Sequence, residues 1–171
     1  MANRYLLPVY KILYGRNFSY SDFDQRMEMQ KAVYLLQDMG VPIGDYGFRW
    51  YLHGPYSQSL QDDMHYESGR AATTLTLSKE YSESIARLHD VIHSEDGKAY
   101  SVSNWVECLA SLHYLHENLL SFDASEEDVV HELEKRKPHL DDHSTNISAY
   151  RLVEGLFSYI MTSQIRAYLK T

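Results

Sequence analysis

Helical periodicity is the feature that most constrains how this chain can fold. Apolar residues recur at spacings of three and four in several segments, and this spacing places them on one face of an α-helix. Residues 21–40, SDFDQRMEMQKAVYLLQDMG, show the pattern most clearly. Ser21 and Asp24 predict a capping box at the start of this helix, and Gly40 predicts its end. Its apolar face consists of Met29, Ala32, Val33, Leu36 and Met39.

Similar patterns predict helices along most of the remaining chain. Gly15 is expected to end a first helix that starts at Tyr5, and Pro55 is expected in the first turn of a helix that reaches about residue 66. A further helix is predicted between Ser125 and Pro138. Acidic residues follow Ser125 and basic residues precede Pro138, which is the charge order that the helix dipole favours. The other predicted helices cover residues 78–95, 103–120 and 146–168. The helix over 103–120 is expected to be central, with Trp105, Leu109, Leu112, His116 and Leu119 on one stripe.

Two segments favour extended structure. Residues 41–55, VPIGDYGFRWYLHGP, contain three glycines, two prolines and a dense aromatic run, which suit a short hairpin better than a helix. Residues 73–77, TTLTL, also resemble a strand. The sequence therefore predicts a mainly α fold. It is expected to be a compact bundle of about six or seven helices in one domain, residues 1–171, with a small β-hairpin or strand element around residues 47–53 and 73–77.

Charge and cysteine content narrow the classes of partner and location. The net charge is −8, and residues 61–171 carry ten basic residues against nineteen acidic ones. Such a field repels phosphate backbones and favours a basic protein partner, so direct nucleic-acid binding is not expected. Cys108 is the only cysteine, so no intramolecular disulfide can form. The sequence shows no signal-peptide pattern and no membrane-spanning run, which predicts a cytoplasmic location without membrane attachment.

Residues with reactive or metal-ligating side chains form no recognisable catalytic motif. Two histidine pairs, His89 with His93 and His113 with His116, have helical ligand spacing, but each pair supplies only two ligands. Cys108 lies on an apolar helix face, where a thiol is inert. Ser57 lacks the glycine spacing of a nucleophile elbow. The sequence therefore predicts no catalytic residue, no cofactor and no metal ion.

Residues 31–64 resemble a known family of proteins. A helix with Lys31, Leu35 and Leu36 leads to an aromatic-rich strand and the turn His-Gly-Pro-Tyr-Ser, which is the pattern of the uncharacterised YwgA-like proteins. ELEKRKP, residues 132–138, adds weaker support. More distantly, this helix, the aromatic run and Gly54-Pro55 resemble the Panacea domain of SocA-like antitoxins. Panacea segments carry a Gly-Pro-Val-type turn where this chain has GPYS. The resemblance implies a helical cytoplasmic module that neutralises a toxin or adapts another protein for recognition.

The segment around the turn is predicted to have two faces. Phe48, Trp50, Leu52 and Leu60 are expected to pack in the core. The residues expected to form a polar and aromatic partner-binding surface beside a helix N-terminus are Arg49, Tyr51, His53, Gly54, Pro55, Tyr56 and Ser57.

Three functional hypotheses follow. The leading one is a non-enzymatic protein-interaction module that neutralises or regulates a partner in a toxin–antitoxin or phage-defence setting. The second is a small enzyme acting on a nucleotide or nucleic acid, with His53 as acid or base and Arg49 as anion clamp. The third is a DNA-associated regulator of winged-helix type that uses a local basic face: Arg4, Lys11, Arg16, Arg26 and Lys31. Homo-oligomerisation is compatible with each of them.

Overall fold

The computed structural model describes residues 3–70 and 74–170, with the side chains of all of these except 162–164, 166 and 167. Seven α-helices and one antiparallel hairpin make up this part of the chain, which confirms the predicted mainly α fold. The helices are α1 (Leu6–Tyr14), α2 (Phe23–Asp38), α3 (Gln58–Ser68), α4 (Lys79–Ile92), α5 (Val102–Tyr114), α6 (Glu126–Arg136) and α7 (His143–Leu169). The strands are β1 (Arg49–Tyr51) and β2 (Gly54–Tyr56).

Side-chain caps explain where most of the helices begin. The N-cap side chains of α2 to α6 each accept a hydrogen bond from the backbone N–H three residues further on, and they are Asp22, Ser57, Ser78, Ser101 and Ser125. Such a bond satisfies one of the N–H groups that a helix start leaves without a partner. Ser125 and Asp128 form the complete capping box. The predicted cap of α2 was one residue early, since Asp22 and not Ser21 is the N-cap.

The centre of the molecule is formed by α2 and α5. These helices pack against each other, and α5 also packs against α7. Most of α2 from Met27 to Leu36 and most of α5 from Ser103 to His113 is buried, because other elements cover these helices on several sides. The Trp105 indole N–H donates to the carbonyl of Val91, 3.0 Å away, which links α5 to α4. Within the described residues, no helix is long and apolar enough to cross a membrane.

The predicted strand at residues 73–77 is wrong where the structure describes it. Residues 74–77 are extended without strand pairing, and residue 73 lies outside the described part. Leu75 and Leu77 pack half-buried against the core, while Thr74 and Thr76 are exposed. The alternation that predicted a strand is therefore present, but no neighbouring strand among the described residues offers hydrogen-bond partners.

Two further predictions about element boundaries were wrong. Pro55 does not open a helix but lies in β2, where a two-stranded hairpin tolerates a residue without an N–H, and α3 begins at Gln58. The helix expected over residues 103–120 is α-helical only to Tyr114. Beyond it, Leu115–Leu119 form a π-helical turn, closed by a hydrogen bond from the Leu120 N–H to the Leu115 carbonyl (2.9 Å). Leu119 at the end of the expected buried stripe is consequently exposed.

Candidate functional site

The hairpin turns over two residues, Leu52 and His53. Tyr51 pairs with Gly54 at the closing end, and Arg49 pairs with Tyr56 at the open end. Gly54 has a φ of +85°, which L-residues with side chains rarely adopt. A Cβ at this position would also lie 2.2 Å from the Ser111 Oγ on α5. The turn therefore needs glycine both for its backbone conformation and for its close approach to α5.

The seven residues predicted to bind a partner differ in exposure. Arg49 and Tyr51 are exposed, and His53 and Tyr56 are half-buried. The remaining three, Gly54, Pro55 and Ser57, are buried. Any direct contact with a partner through this segment therefore depends on the first four, and the buried three shape the backbone that presents them.

The turn also exposes a residue that was expected in the core. Leu52 is 71% exposed, since it occupies the turn itself and the alternation of β1 ends at Tyr51. Phe48 and Trp50 are half-buried against the core, and Leu60 is fully buried, as predicted for these three. Leu52 thus adds an apolar side chain to the exposed tip of the hairpin.

Two buried lysines donate hydrogen bonds to backbone carbonyls of the hairpin. Lys31 of α2 donates from Nζ to the carbonyl of Pro55 at 2.7 Å. Lys137, just after α6, donates to the carbonyl of Leu52 and lies 3.3 Å from that of Tyr51. Both lysines are at most 3% exposed. The carbonyls of Leu52 and Pro55 are therefore bound by lysine side chains from two different helical regions. Hydrogen bonds from a protonated amine are stronger than those from a neutral donor.

Glu107 of α5 supplies the counter-charge. Its Oε1 is 3.6 Å from Lys137 Nζ, and its Oε2 is 3.2 Å from His139 Nε2 and 3.8 Å from His53 Nδ1. Burial lowers the pKa of Lys31 to about 7, with Glu107 opposing that effect. Burial likewise lowers the pKa of Lys137. We name Lys31, Glu107, Lys137, His53 and His139 the hairpin cluster.

Ser57 and Gln30 anchor the second strand to α2. The Ser57 N–H donates to Gln30 Oε1, and Gln30 Nε2 donates to the Ser57 carbonyl, both at 2.9 Å. This pair of bonds satisfies buried backbone groups at the point where β2 passes into α3. The hairpin is consequently fixed at its turn by lysines and at its base by an amide.

A cavity of about 250 Å³ lies between the turn and α2. It is lined by Phe23, Arg26, Met27, Gln30, Lys31, Tyr51, Leu52, His53, Tyr56 and Gln61. None of these is acidic, and three of them are basic. The Phe23 ring meets the His53 ring edge to face at 5.3 Å between centroids, and Phe23 is 53% exposed. The cavity thus has an aromatic rim and a basic interior.

A second depression lies on the other side of the hairpin, and it separates two residues that were expected to act together. Arg49 lines this wider groove of about 640 Å³, and His53 lines the cavity. Tyr51 and Tyr56 line both. Arg49 therefore does not line the cavity that contains His53, as the predicted anion clamp would require. Arg26 is the arginine that lines this cavity.

The five cations suggested as a DNA-binding face do not form one. Lys31 is buried beneath the hairpin, and Arg16 forms an ion pair with the buried Glu28 at 2.6 Å. Arg26 donates to the backbone carbonyl of Tyr20. Arg4 and Lys11 remain exposed on the first helix and the residues before it. These five cations therefore do not offer DNA one continuous exposed face.

Most of the hairpin cluster was not predicted from the sequence. Lys31 and Glu107 are charged residues within the buried stretches of α2 and α5, and a charged residue in such a stretch is the signal that could have identified them. Lys137 gives no such signal, because it lies beside Pro138 in a charged segment.

Comparison with known protein families, with curated proteins and with solved structures gives no match for this chain. The function is therefore argued from the geometry of the site.

Proposed function

We propose that this chain is a cytoplasmic protein-interaction module that neutralises or regulates a partner protein, and that the hairpin tip and the adjoining cavity form the contact surface. The proposal rests on one observation: the hairpin tip exposes apolar and aromatic side chains, and the buried hairpin cluster binds the backbone beneath it. The more distant resemblance of residues 31–64 to the Panacea domain suggests a toxin–antitoxin or phage-defence setting.

The composition of the tip suits protein recognition. Leu52, Tyr51 and Phe23 are 71%, 59% and 53% exposed, and they surround the opening of the cavity. Exposed apolar groups grouped around a concavity are typical of interaction sites, whereas scattered ones are not. Tyrosine and arginine, which flank this opening, are the residue types that most often dominate binding energy. A partner side chain can enter the cavity and be covered by the rim.

The support beneath the tip reduces the cost of binding. Lys31 and Lys137 fix the carbonyls of Pro55 and Leu52, and Gln30 fixes the start of α3. A surface that is already ordered loses less conformational entropy when a partner docks. The hairpin cluster therefore acts on recognition indirectly, through the rigidity of the turn.

Charge identifies the chemistry of the partner segment. Arg26 lines the cavity, Arg49 lines the groove, and neither concavity has an acidic lining residue among those described. A segment with an apolar or aromatic anchor next to an acidic residue complements such a surface. A basic partner for the acidic C-terminal part stays a prediction of the sequence.

The test compares matched variants against one identified partner. Tagged wild-type protein is used to isolate a partner from its native cells, and the purified partner is then titrated against each variant. We expect Leu52→Asp to weaken binding at least tenfold, which corresponds to about 1.4 kcal/mol. The control Phe122→Asp makes the same type of change at a 94% exposed residue away from the hairpin and should leave the affinity unchanged.

A charge-reversal pair tests the acidic character of the partner. Arg49→Glu is expected to weaken binding and to reduce its salt dependence, whereas Lys79→Glu at an exposed site on α4 should do neither. Equal affinity of wild type, Leu52→Asp and Arg49→Glu would contradict the proposal. A second copy of this chain as the only protein bound would replace it with homo-oligomerisation.

A small enzyme acting on a nucleotide is the second candidate, and the position of His53 favours it. The Nδ1 of His53 is buried 3.8 Å from Glu107 Oε2, and the side chain lines a cavity that also contains Lys31 and Arg26. Burial lowers the pKa of His53, although Glu107 acts in the opposite direction, so the ring is neutral at pH 7 and able to accept a proton. Turnover of nucleoside triphosphates that disappears in a folded His53→Ala variant would support this candidate.

A further inference from the structure

Three metal-ligating side chains converge where α5 gives way to the π-helical turn and meets α7. His116 and Glu117 belong to the turn, and Glu154 belongs to α7. One potential ligand atom from each lies within 4.8 Å of the other two. In residues 3–70 and 74–170, this is the one group of three or more such residues that meets this distance. The fold thus brings two carboxylates to His116, whereas His113, its partner in the predicted helical pair, is not part of the group.

The local backbone explains this convergence. The turn is closed by a hydrogen bond between residues five apart, and such π-helical turns are frequent at functional sites. The Tyr150 hydroxyl lies 2.8 Å from His116 Nδ1 and fixes the orientation of the ring. Tyr150 precedes Glu154 by four residues on α7, so both side chains lie on the same helix face.

A buried histidine connects Glu154 to a second carboxylate. The side chain of His113 is 2% exposed, and its Nε2 is 3.0 Å from Asp38 Oδ2. Its Nδ1 lies 3.6 Å from Glu154 Oε1, and neither of these two atoms has a hydrogen-bond partner. Burial lowers the pKa of His113, but the two carboxylates outweigh burial and raise it overall, so the protonated ring directs an N–H at each of them. His113 thereby orients Glu154, and the 3.6 Å separation leaves Oε1 without a hydrogen bond.

We propose that His116, Glu117 and Glu154 bind one divalent transition-metal ion, and that Asp38 and His113 position Glu154. One imidazole nitrogen and two carboxylates are a ligand set that suits Zn²⁺ or Mn²⁺ better than Mg²⁺, which takes oxygen ligands and retains several waters. Three protein ligands leave a further position open to water or another ligand. The chain from Asp38 through His113 to Glu154 resembles the outer partners that orient metal ligands in other proteins.

The spacing of the ligand atoms is compatible with this site. Tetrahedral ligands at about 2.1 Å from zinc are about 3.4 Å apart, so atoms up to 4.8 Å apart need to approach by about 1.4 Å. Glu117 is exposed, and rotation of its side chain can supply this movement without disturbing the core.

Titration of the chelator-treated protein with Zn²⁺ and with Mn²⁺ tests the proposal. We expect one ion per chain. Glu117→Gln and Glu154→Gln should each weaken binding by about 100-fold, and Asp38→Asn, which acts through His113, by about tenfold. Glu117 is exposed, so its variant folds irrespective of the outcome, and circular dichroism checks the other two.

The second helical histidine pair provides the matched control. His89 and His93 lie with ring centroids 4.3 Å apart, but they belong to no three-ligand group among the described residues. His89→Gln should therefore leave the affinity unchanged. Binding that is lost in His89→Gln and kept in Glu117→Gln and Glu154→Gln would overturn the proposal, as would the absence of binding at millimolar Zn²⁺ and Mn²⁺.

Discussion

Two buried polar clusters involve α5, and they differ in charge balance and in what their charged groups bind. In the hairpin cluster, two lysines face one carboxylate, and the lysines bind backbone carbonyls of the hairpin. Around His113 and His116, three carboxylates face two histidines. Each cluster has two buried atoms without a hydrogen-bond partner, His53 Nδ1 and Glu107 Oε1 in the first and His113 Nδ1 and Glu154 Oε1 in the second. We name His113, His116, Glu117, Glu154 and Asp38 the junction cluster.

The difference indicates different roles for the two clusters. Excess positive charge that is bound to carbonyls stabilises one backbone conformation, as charge-assisted hydrogen bonds do. Excess negative charge beside an imidazole is suited to binding a transition-metal cation. The first arrangement therefore supports the exposed tip of the hairpin, and the second supports the proposed metal site.

The largest expected effect on stability comes from removing the counter-charge of the hairpin cluster. Glu107→Gln leaves Lys137 and Lys31 buried without a carboxylate, and breaking a buried ion pair in this way costs about 3–5 kcal/mol. Urea unfolding followed by circular dichroism measures the change. Glu80→Gln on the exposed face of α4 is the control, and its effect should stay within about 0.5 kcal/mol. Similar values for the two variants would mean that the cluster does not hold the hairpin.

Lys31 gives the hairpin cluster a pH dependence. Its pKa is about 7 in the folded chain and about 10.4 when unfolded, so between these values the unfolded state binds more protons. The stability of the wild type should therefore rise with pH relative to Lys31→Met, by about 2 kcal/mol from pH 7 to pH 9. Urea unfolding at pH 7, 8 and 9 measures this difference. Lys79→Met, at an exposed lysine, should show a constant difference, and a flat result for Lys31→Met would contradict the assignment.

The contact between the turn and α5 gives a smaller effect. Gly54→Ala places a Cβ at positive φ and against Ser111 Oγ, which should cost about 1–2 kcal/mol from the backbone conformation and more from the contact. Thermal unfolding of Gly54→Ala and of the double variant Gly54→Ala/Ser111→Ala separates the two contributions. The second substitution should restore only the stability lost through the contact with Ser111 Oγ. Gly69→Ala, with a negative φ and open space around its Cβ, should change stability little. Equal losses at Gly54 and Gly69 would show that the turn is loosely held.

The junction cluster should respond least in the metal-free protein. Glu154→Gln is expected to change the free energy of unfolding by less than about 1 kcal/mol, because the Glu154 side chain is 25% exposed, so solvent weakens its ion pair with His113, and an amide can donate to the neutral His113 Nδ1. Urea unfolding in the presence of a chelator measures it. A loss comparable with that of Glu107→Gln would remove the contrast between the clusters.

Local signals in the sequence were sufficient for much of the fold. The charge order after Ser125, the glycine after α1 and the apolar periodicity of α2 each predict an element that the structure contains. Such features act within a few residues, so they can be recognised without knowledge of the fold. Residues 74–77 show where local signals fail. Alternation of apolar and polar residues indicates which side of a segment is buried, but it does not indicate whether a second strand lies beside it.

The sites depend on contacts between distant parts of the chain. Lys31, Glu107 and Lys137 lie on three different helical segments, and only packing of α2, α5 and α6 brings them together. Glu154 reaches His116 because α7 crosses the end of α5. The partner-binding role of Arg49, Tyr51, His53 and Tyr56 stays a prediction, and the sequence correctly located the segment as a hairpin without identifying its exposed Leu52.

Thermal unfolding with and without Zn²⁺ tests most directly whether the hairpin cluster stabilises the fold and the junction cluster binds the metal ion. A ligand that binds only the folded chain raises its melting temperature. We expect Zn²⁺ to raise the melting temperature of the wild type and of Glu107→Gln, although the latter melts far lower, and to leave that of Glu154→Gln unchanged. A zinc-dependent increase in Glu154→Gln, or its loss in Glu107→Gln, would show that the two clusters do not have separate roles.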